Sequence, residues 1–395
     1  MDIPSFDEIF EQIKANFWFF GVQFDSGEIY FRFYILLSSL CLTVLQEAIY
    51  FVVESSAENF LTLTQLAPCI SIGVLTVLKL ILVVFKRRKV SQLTNSLESL
   101  YQNILNDAEK TRIIRQNFVF VKYLTKYFYI LNWVLICVYI FSTLIMILYR
   151  YIDTKEVAYI LPYPVYVPFA TNSWLPWSAI YLHSACSGLI CILYYTTMDA
   201  LYYLMSTNVY RHFTLLSSEI IDLDGENCYL LNDIVKKHQY ILKLSDNLED
   251  IFTAPNLINV LVGSLEICAL GFNLTGKWTQ IPGVVLFLLS VLLQIFMMSV
   301  FGEHIKRESE GVGEAAYLCK WYTMDQRSKK IILQLITRIL LLFFRSSKPQ
   351  KLTAYKFSIV SYESFIKIIS RSWSYFTILK TVYKPREGVV ITTDL

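Results

Sequence analysis

The eight cysteines show neither zinc-site nor disulfide-framework spacing, and the chain has no nucleophile elbow, Gly-rich phosphate loop, HExxH or paired catalytic carboxylates. Catalysis therefore has no candidate residues, and no metal or cofactor is expected. His238 and His304 have no second ligand at metal spacing, and His183 reads as a satisfied bundle residue. Charge is scarce too: 17% of residues are charged and the net charge is only +3, so a nucleic-acid partner is not expected. Asp2, Asp7 and Glu8 replace the basic start of a cleavable signal peptide, so the first span is expected to act as its own signal. There is no internal repeat, separate domain or low-complexity tract.

What is present is apolar. Of 395 residues 55% are hydrophobic and 15% aromatic, with a mean hydropathy of +0.46, which predicts an all-α, multi-span membrane protein bathed in membrane lipid. Residues 4–20 place Phe6, Ile9, Phe10, Ile13, Phe17 and Phe20 near one helical face and predict an interfacial helix. Six apolar segments follow at 33–53, 60–84, 128–149, 174–198, 257–275 and 281–301, each near the roughly 20 residues a bilayer needs. Residues 229–252 repeat apolar residues at helical spacing among charges, so spans four to six are expected to continue below the membrane. The short run 331–344, with Arg338, reads as a helix packed inside a cytoplasmic assembly, the natural partner for 229–252. Lys86 to Lys89 after span two, and nine Lys and Arg between 306 and 348, mark those loops as cytoplasmic. The N-terminus is then inside, and a seventh span puts the C-terminus outside. Asn273-Leu274-Thr275 is a glycosylation sequon close to the outer membrane edge.

The seventh span is 357–384, where Glu363, Lys367 and Arg371 interrupt the apolar run. On a helix Glu363, Lys367, Arg371, Ser374, Ile378 and Val382 fall within roughly a 100° arc. Phe365, Ile368, Ile369, Trp373, Phe376 and Leu379 occupy the other faces. Charges in a membrane helix persist only where they meet protein or water. The stripe therefore fits a pore lining with a wet charged half and an apolar end, or a bundle helix with internally paired charges.

Elsewhere in the spans, Lys79 is placed to snorkel to the cytoplasmic edge, and Asp199 to partner a buried cation. Glu47 is either structural or solvent-facing, and mid-span Glu266 needs a partner or a wet cavity. Tyr139, Ser142, Thr143 and Met146 share one face of span three; Trp177, Tyr181, Ser184 and Ala185 share one face of span four. Aromatic walls with hydroxyls suit a small apolar ligand held by spans two, three, four and six in their outer halves. Interhelical packing with Ser and Thr as polar contacts accounts for the same pattern.

Longer motifs narrow the choice. Leu292 to Tyr322 reads LLQIFMMSVFGEHIKRESEGVGEAAYLCKWY, and Leu352 to Leu379 holds an LTA stretch, a Ser-x-Glu-x-Phe element and SYFTIL. LPYPVYVPF occupies 161–169, and His238 precedes Asn247 to Phe252 and Glu266-Ile267-Cys268. Together these resemble the insect odorant receptors over most of the chain, most densely after residue 228. The resemblance implies a seven-span subunit, N-terminus inside, of a tetrameric odorant-gated non-selective cation channel in the plasma membrane of olfactory sensory neurons. In such channels a tuning subunit binds a small volatile odorant and assembles with a shared co-receptor through an intracellular anchor domain; the last helices line one pore. The short 204–255 segment, against a much longer loop in the co-receptor, marks a tuning subunit. The resemblance and the stripe together put Ser374, Ile378, Thr381 and Val382 at the pore and gate, where Lys380 stands in place of the usual apolar residue. The implied organisation is a cytoplasmic segment 1–32, spans one to six over 33–301, an anchor from 204–256 and 302–356, a pore helix 357–384 and an extracellular tail 385–395. Gustatory receptors end with Thr-Tyr, five apolar residues and Gln-Phe; Ser374-Tyr375, Lys380 and Thr381-Val382 depart from that ending. A G-protein-coupled receptor would have its N-terminus outside, against the charge bias, and a transporter would show a repeat between halves.

Overall fold

The computed structural model describes residues 6–23, 28–55, 60–105, 107–275, 281–333, 350–355 and 358–382. The helices are α1 (Phe6–Phe20), α2 (Phe31–Val53), α3 (Phe60–Phe85), α4 (Arg87–Leu105), α5 (Ala108–Thr154), α6 (Trp174–Ile221), α7 (Leu231–Asn273) and α8 (Ile281–Leu318). A ninth, α9, is described over 326–333, and α10 spans Tyr362–Val382. Between them a two-residue hairpin pairs β1 (Thr353–Ala354) with β2 (Ser358–Ile359). Most of the expected 331–344 helix, the 385–395 tail and the side chain of Val382 lie outside the described residues.

Among the described residues six helices (α2, α3, α5, α6, α7 and α8) are long and apolar enough to cross a membrane. Charge keeps α10 out of that set, yet its 21 residues suffice for a seventh span. Helices α5 to α8 have 47, 48, 43 and 38 residues. At about 1.5 Å per residue they far exceed a hydrocarbon core of about 30 Å. They project on the side that the Lys and Arg bias marks as cytoplasmic, α5 with its N-terminal end. That extension of α5 goes beyond the sequence expectation.

Helix α6 organises this inner region. Every residue from 194 through 213 is buried, so the helix is wrapped on all sides, with polar residues such as Thr196, Asp199, Asn208 and Arg211 enclosed along with its aromatic ones. Aromatic contacts bind it to its neighbours: Tyr203 stacks on Phe301 at 5.0 Å and Tyr202 meets Phe252 at 5.1 Å. Helix α7 packs along α3 and against α6, α8 and the hairpin.

Two expectations change here. The apolar face of α1 meets protein rather than an interface: Phe6, Phe10, Ile13, Phe17 and Phe20 are buried, with Phe6 near Tyr101 and Phe20 3.8 Å from Tyr194. Asn16 pins the helix by donating to the Tyr129 hydroxyl and to Thr197 Oγ1. Lys79 does not snorkel. It is 2% exposed and donates to Asp199 Oδ1 at 2.5 Å, because a buried carboxylate from α6 reaches it before water does. Asp199 thus has the buried cation expected of it.

The hairpin seats the base of α10. Val360 N donates to Leu352 O, Thr353 Oγ1 to Glu249 Oε1, and Tyr355 N to Thr253 Oγ1. Gly302 of α8 lets the chain approach this closely: a Cβ there would lie 2.3 Å from Val360 O.

Candidate functional site

Between the outer halves of α2, α3, α5, α6 and α8 lies a cavity of about 80 Å³. Leu40, Thr43, Val44 and Glu47 come from α2; Cys69, Ile72 and Gly73 from α3; Leu135, Ile136 and Tyr139 from α5. Helix α6 adds Ser187, Gly188, Cys191 and Ile192, and α8 adds Phe287, which meets Tyr139 edge-on at 6.3 Å. Small residues make the room. A Cβ at Gly188 would sit 2.9 Å from Ile136 Cδ1, and one at Gly73 2.7 Å from Val44 Cγ2.

The segment between α5 and α6 closes one side. Tyr163 lines the cavity and its hydroxyl donates to the Ser184 carbonyl. Trp177 Nε1 donates to Ile160 O at 3.0 Å, and Tyr166 N to Gln46 O at 3.1 Å. Residues 161–169 are thereby tied to both α6 and α2.

Of the ligand-lining residues expected from sequence, Tyr139 lines this cavity. Trp177 and Tyr181 stand apart from it in an aromatic stack with Trp174, at 5.5 and 5.2 Å between successive rings, and the Tyr181 hydroxyl donates to Ile140 O. Thr143 is buried and bonds back to Tyr139 O, and Ser184 is buried behind the Tyr163 contact. Ser142 and Met146 face outward. The contributions of α2 and Tyr163 were missed. An acidic residue inside an apolar run was the available signal for Glu47.

The bundle also holds a buried polar chain below the cavity. Gln294 Nε2 donates to Asp199 Oδ2 at 2.8 Å and to Asn259 Oδ1 at 3.3 Å, while Ser290 Oγ donates to Asn132 Oδ1. Glu266 is fully buried, and neither carboxyl oxygen has a hydrogen-bond partner among the described residues. His183 meets Thr43 at 3.2 Å, the satisfied bundle residue expected. Asn273 donates its amide to Thr64 O and is buried, which leaves a poor glycosylation acceptor.

Helix α10 packs on α7 and α8 with one face only. Ile368 and Ser372 are buried; Ser372 Oγ donates to Ser264 O, and Phe365 meets Phe296 edge-on. With Phe376 and Leu379 these residues share one side of the helix. At about 100° per residue, Glu363, Lys367, Arg371, Ser374 and Ile378 fall on the opposite side, and all are exposed. Ile378 is 58% exposed, and Thr381 is exposed as well. The predicted stripe is thus the side turned away from the chain's own bundle. Glu363 and Lys367 pair with each other along it at 2.5 Å.

Comparison with known proteins gives the family and the fold. The profile described as "7tm Odorant receptor" matches residues 59–372, well over half of the chain. The chain belongs to the odorant receptor family. Family members are receptors, not enzymes. Odorant receptor 85b of Drosophila melanogaster is 26% identical over 385 residues, covering 94% of each chain. Odorant receptor 85c of the same species is 26% identical over 369 residues, covering 87% of this chain and 89% of its own. The solved insect olfactory receptor OR5 from Machilis hrabei superposes with a TM-score of 0.80 at 16% identity, covering 94% of this chain and 97% of that one. The same receptor in complex with eugenol gives 0.78. The fold is therefore the seven-span helical fold of the insect olfactory receptors.

Proposed function

We propose that this odorant receptor is the tuning subunit of a heterotetrameric, odorant-gated, non-selective cation channel in the plasma membrane of olfactory sensory neurons. One observation carries the reading: a membrane helix that packs on one side and presents ion-pairing, hydroxyl and then aliphatic side chains on the other. Such a face needs neighbours of its own kind around water. Four such helices about an axis, one from each tuning or co-receptor subunit, give a charged, wet inner half. Toward the outer end Ser374 lines the pore, and Ile378 and Val382, with Thr381 beside them, form a narrow apolar ring that blocks ions by dewetting. A small volatile odorant occupies the cavity behind Tyr139 and Tyr163, and Glu249 and Gly302 couple the bundle to α10 through the hairpin. The link from α6 to α7 runs only from Asp222 to Leu230, which fits a tuning subunit rather than the co-receptor.

Whole-cell recording with a volatile panel tests this. Cation currents are expected on co-expression with the co-receptor and little or none without it. Responses that survive removal of permeant cations, or that require G proteins, would contradict it.

A further inference from the structure

Glu47 is 4% exposed, lines the cavity, and has no hydrogen-bond or ion-pair partner among the described residues. Its Oε2 lies on the Gly73 side, 3.9 Å from where a Cβ would stand on that glycine. Ser187 of α6 lines the same cavity, is 1% exposed, and its hydroxyl likewise has no partner among the described residues. The other polar cavity groups are largely occupied. Thr43 bonds Ser39 O and His183, Tyr163 bonds the Ser184 carbonyl, and Cys191 donates to Thr76. An otherwise apolar chamber thus keeps in reserve one strong acceptor, Glu47, and the Ser187 hydroxyl, with the ring and hydroxyl of Tyr139 on its wall. Buried polar groups are normally satisfied, so these two point to a ligand that supplies what the protein does not.

Building on the odorant-receptor reading, we propose that Glu47 and Ser187 select a small apolar ligand with a single hydrogen-bond-donating head group, a hydroxyl or an amine. The head group donates to the Glu47 carboxyl; a hydroxyl also accepts from Ser187 Oγ, whereas an ammonium donates to it. Its hydrocarbon part lies against Leu40, Ile136, Tyr139 and Phe287. The cavity volume of about 80 Å³, against the roughly 30 Å³ share of one water in the liquid, seats the head group and the first carbons, and a longer hydrocarbon tail requires the cavity to widen around it. A pocket built to bond a donor discriminates steeply against an analogue of equal size that lacks it, because its own polar groups are then left unpaired.

The test uses the full chain with the co-receptor and four probes of similar length: hexanol, hexylamine, dipropyl ether and hexane. Hexanol and hexylamine are expected to be more potent than the ether and the alkane by roughly ten-fold or more. Glu47→Gln keeps an acceptor but no charge, so it should hold hexanol within a few-fold and lose hexylamine. Glu47→Leu should abolish the preference and favour hexane. Ser187→Val gives a second route, with an expected several-fold loss for hexanol. Ligand-induced shifts in melting temperature of the purified chain read binding without a current. A shift with hexanol and not hexane, lost in Glu47→Leu, supports the assignment even if the channel reading fails. An unchanged probe order in Glu47→Gln and Ser187→Val, by current and by melting shift, overturns it.

Discussion

The inner half of α6 and the whole of α10 are both membrane-protein helices, yet they are held in opposite ways. From 194 to 213, α6 has no free side. Helix α10 is buried along one narrow line: Trp373 is 65% and Ile378 58% exposed. The difference separates what a single chain can stabilise from what it leaves to partners. Where α6 is surrounded, Asp199, Tyr202 and Tyr203 bond to other helices of the same chain, and the packing is fixed. Where α10 is bare, polar and aliphatic residues alternate on a surface that no lipid-facing helix would select, so the exposed face is where assembly and opening are expected.

Removing one partner of the buried pair beneath the cavity should break the surrounded region most severely. Asp199→Ala leaves the Lys79 ammonium buried and also strips a bond from Gln294. A loss on the order of 3–5 kcal/mol is expected, seen as a large fall in the melting temperature of purified protein. Lys79→Met together with Asp199→Leu should recover much of it. Gly302→Ala acts at the seam between the two regions. Its Cβ would press on the Val360 carbonyl, and a cost of about 1–3 kcal/mol is expected, with weaker coupling of ligand to current. The smallest effect is at the cytoplasmic rim. Lys89 and then Lys86 hold the Asp250 carboxyl below the usual carboxylate range, against modest burial. Its contribution is present above the ordinary carboxylate pKa of about 3.9 and fades as the pH falls through the lower folded value. The pair is partly exposed, so Asp250→Asn should cost less than about 1 kcal/mol in melts near neutral pH, and the difference from wild type should vanish in strong acid.

Much of this division was legible in the sequence. Periodicity alone put Glu363, Lys367, Arg371, Ser374 and Ile378 on one stripe of α10, and all five face away from the bundle. Asp199 was readable as the partner of a buried cation because a lone carboxylate in an apolar run demands one. What lies opposite a face was not readable. Lys79 stands near enough to a helix end to suggest snorkelling, yet Asp199, 120 positions along the chain, claims it. The aromatic face of α1 looked fit for lipid and instead meets Tyr101 and Tyr194. In the cavity, Tyr139 was found from its helix face. Glu47 and Tyr163 were not, because only the packing of α2 and the closing loop brings them beside it.

Cysteine scanning along α10 tests the central claim most directly. Single cysteines at Ser372, Ser374, Phe376, Ile378, Leu379 and Thr381, on the native background with the co-receptor, are exposed to a charged thiol reagent from outside during ligand-evoked current. Block at 374, 378 and 381 with none at 372, 376 and 379 is the pattern the packing predicts. Block at 372, 376 and 379 instead, with 378 silent, would show that the face buried here on α7 and α8 is the one that lines the pore.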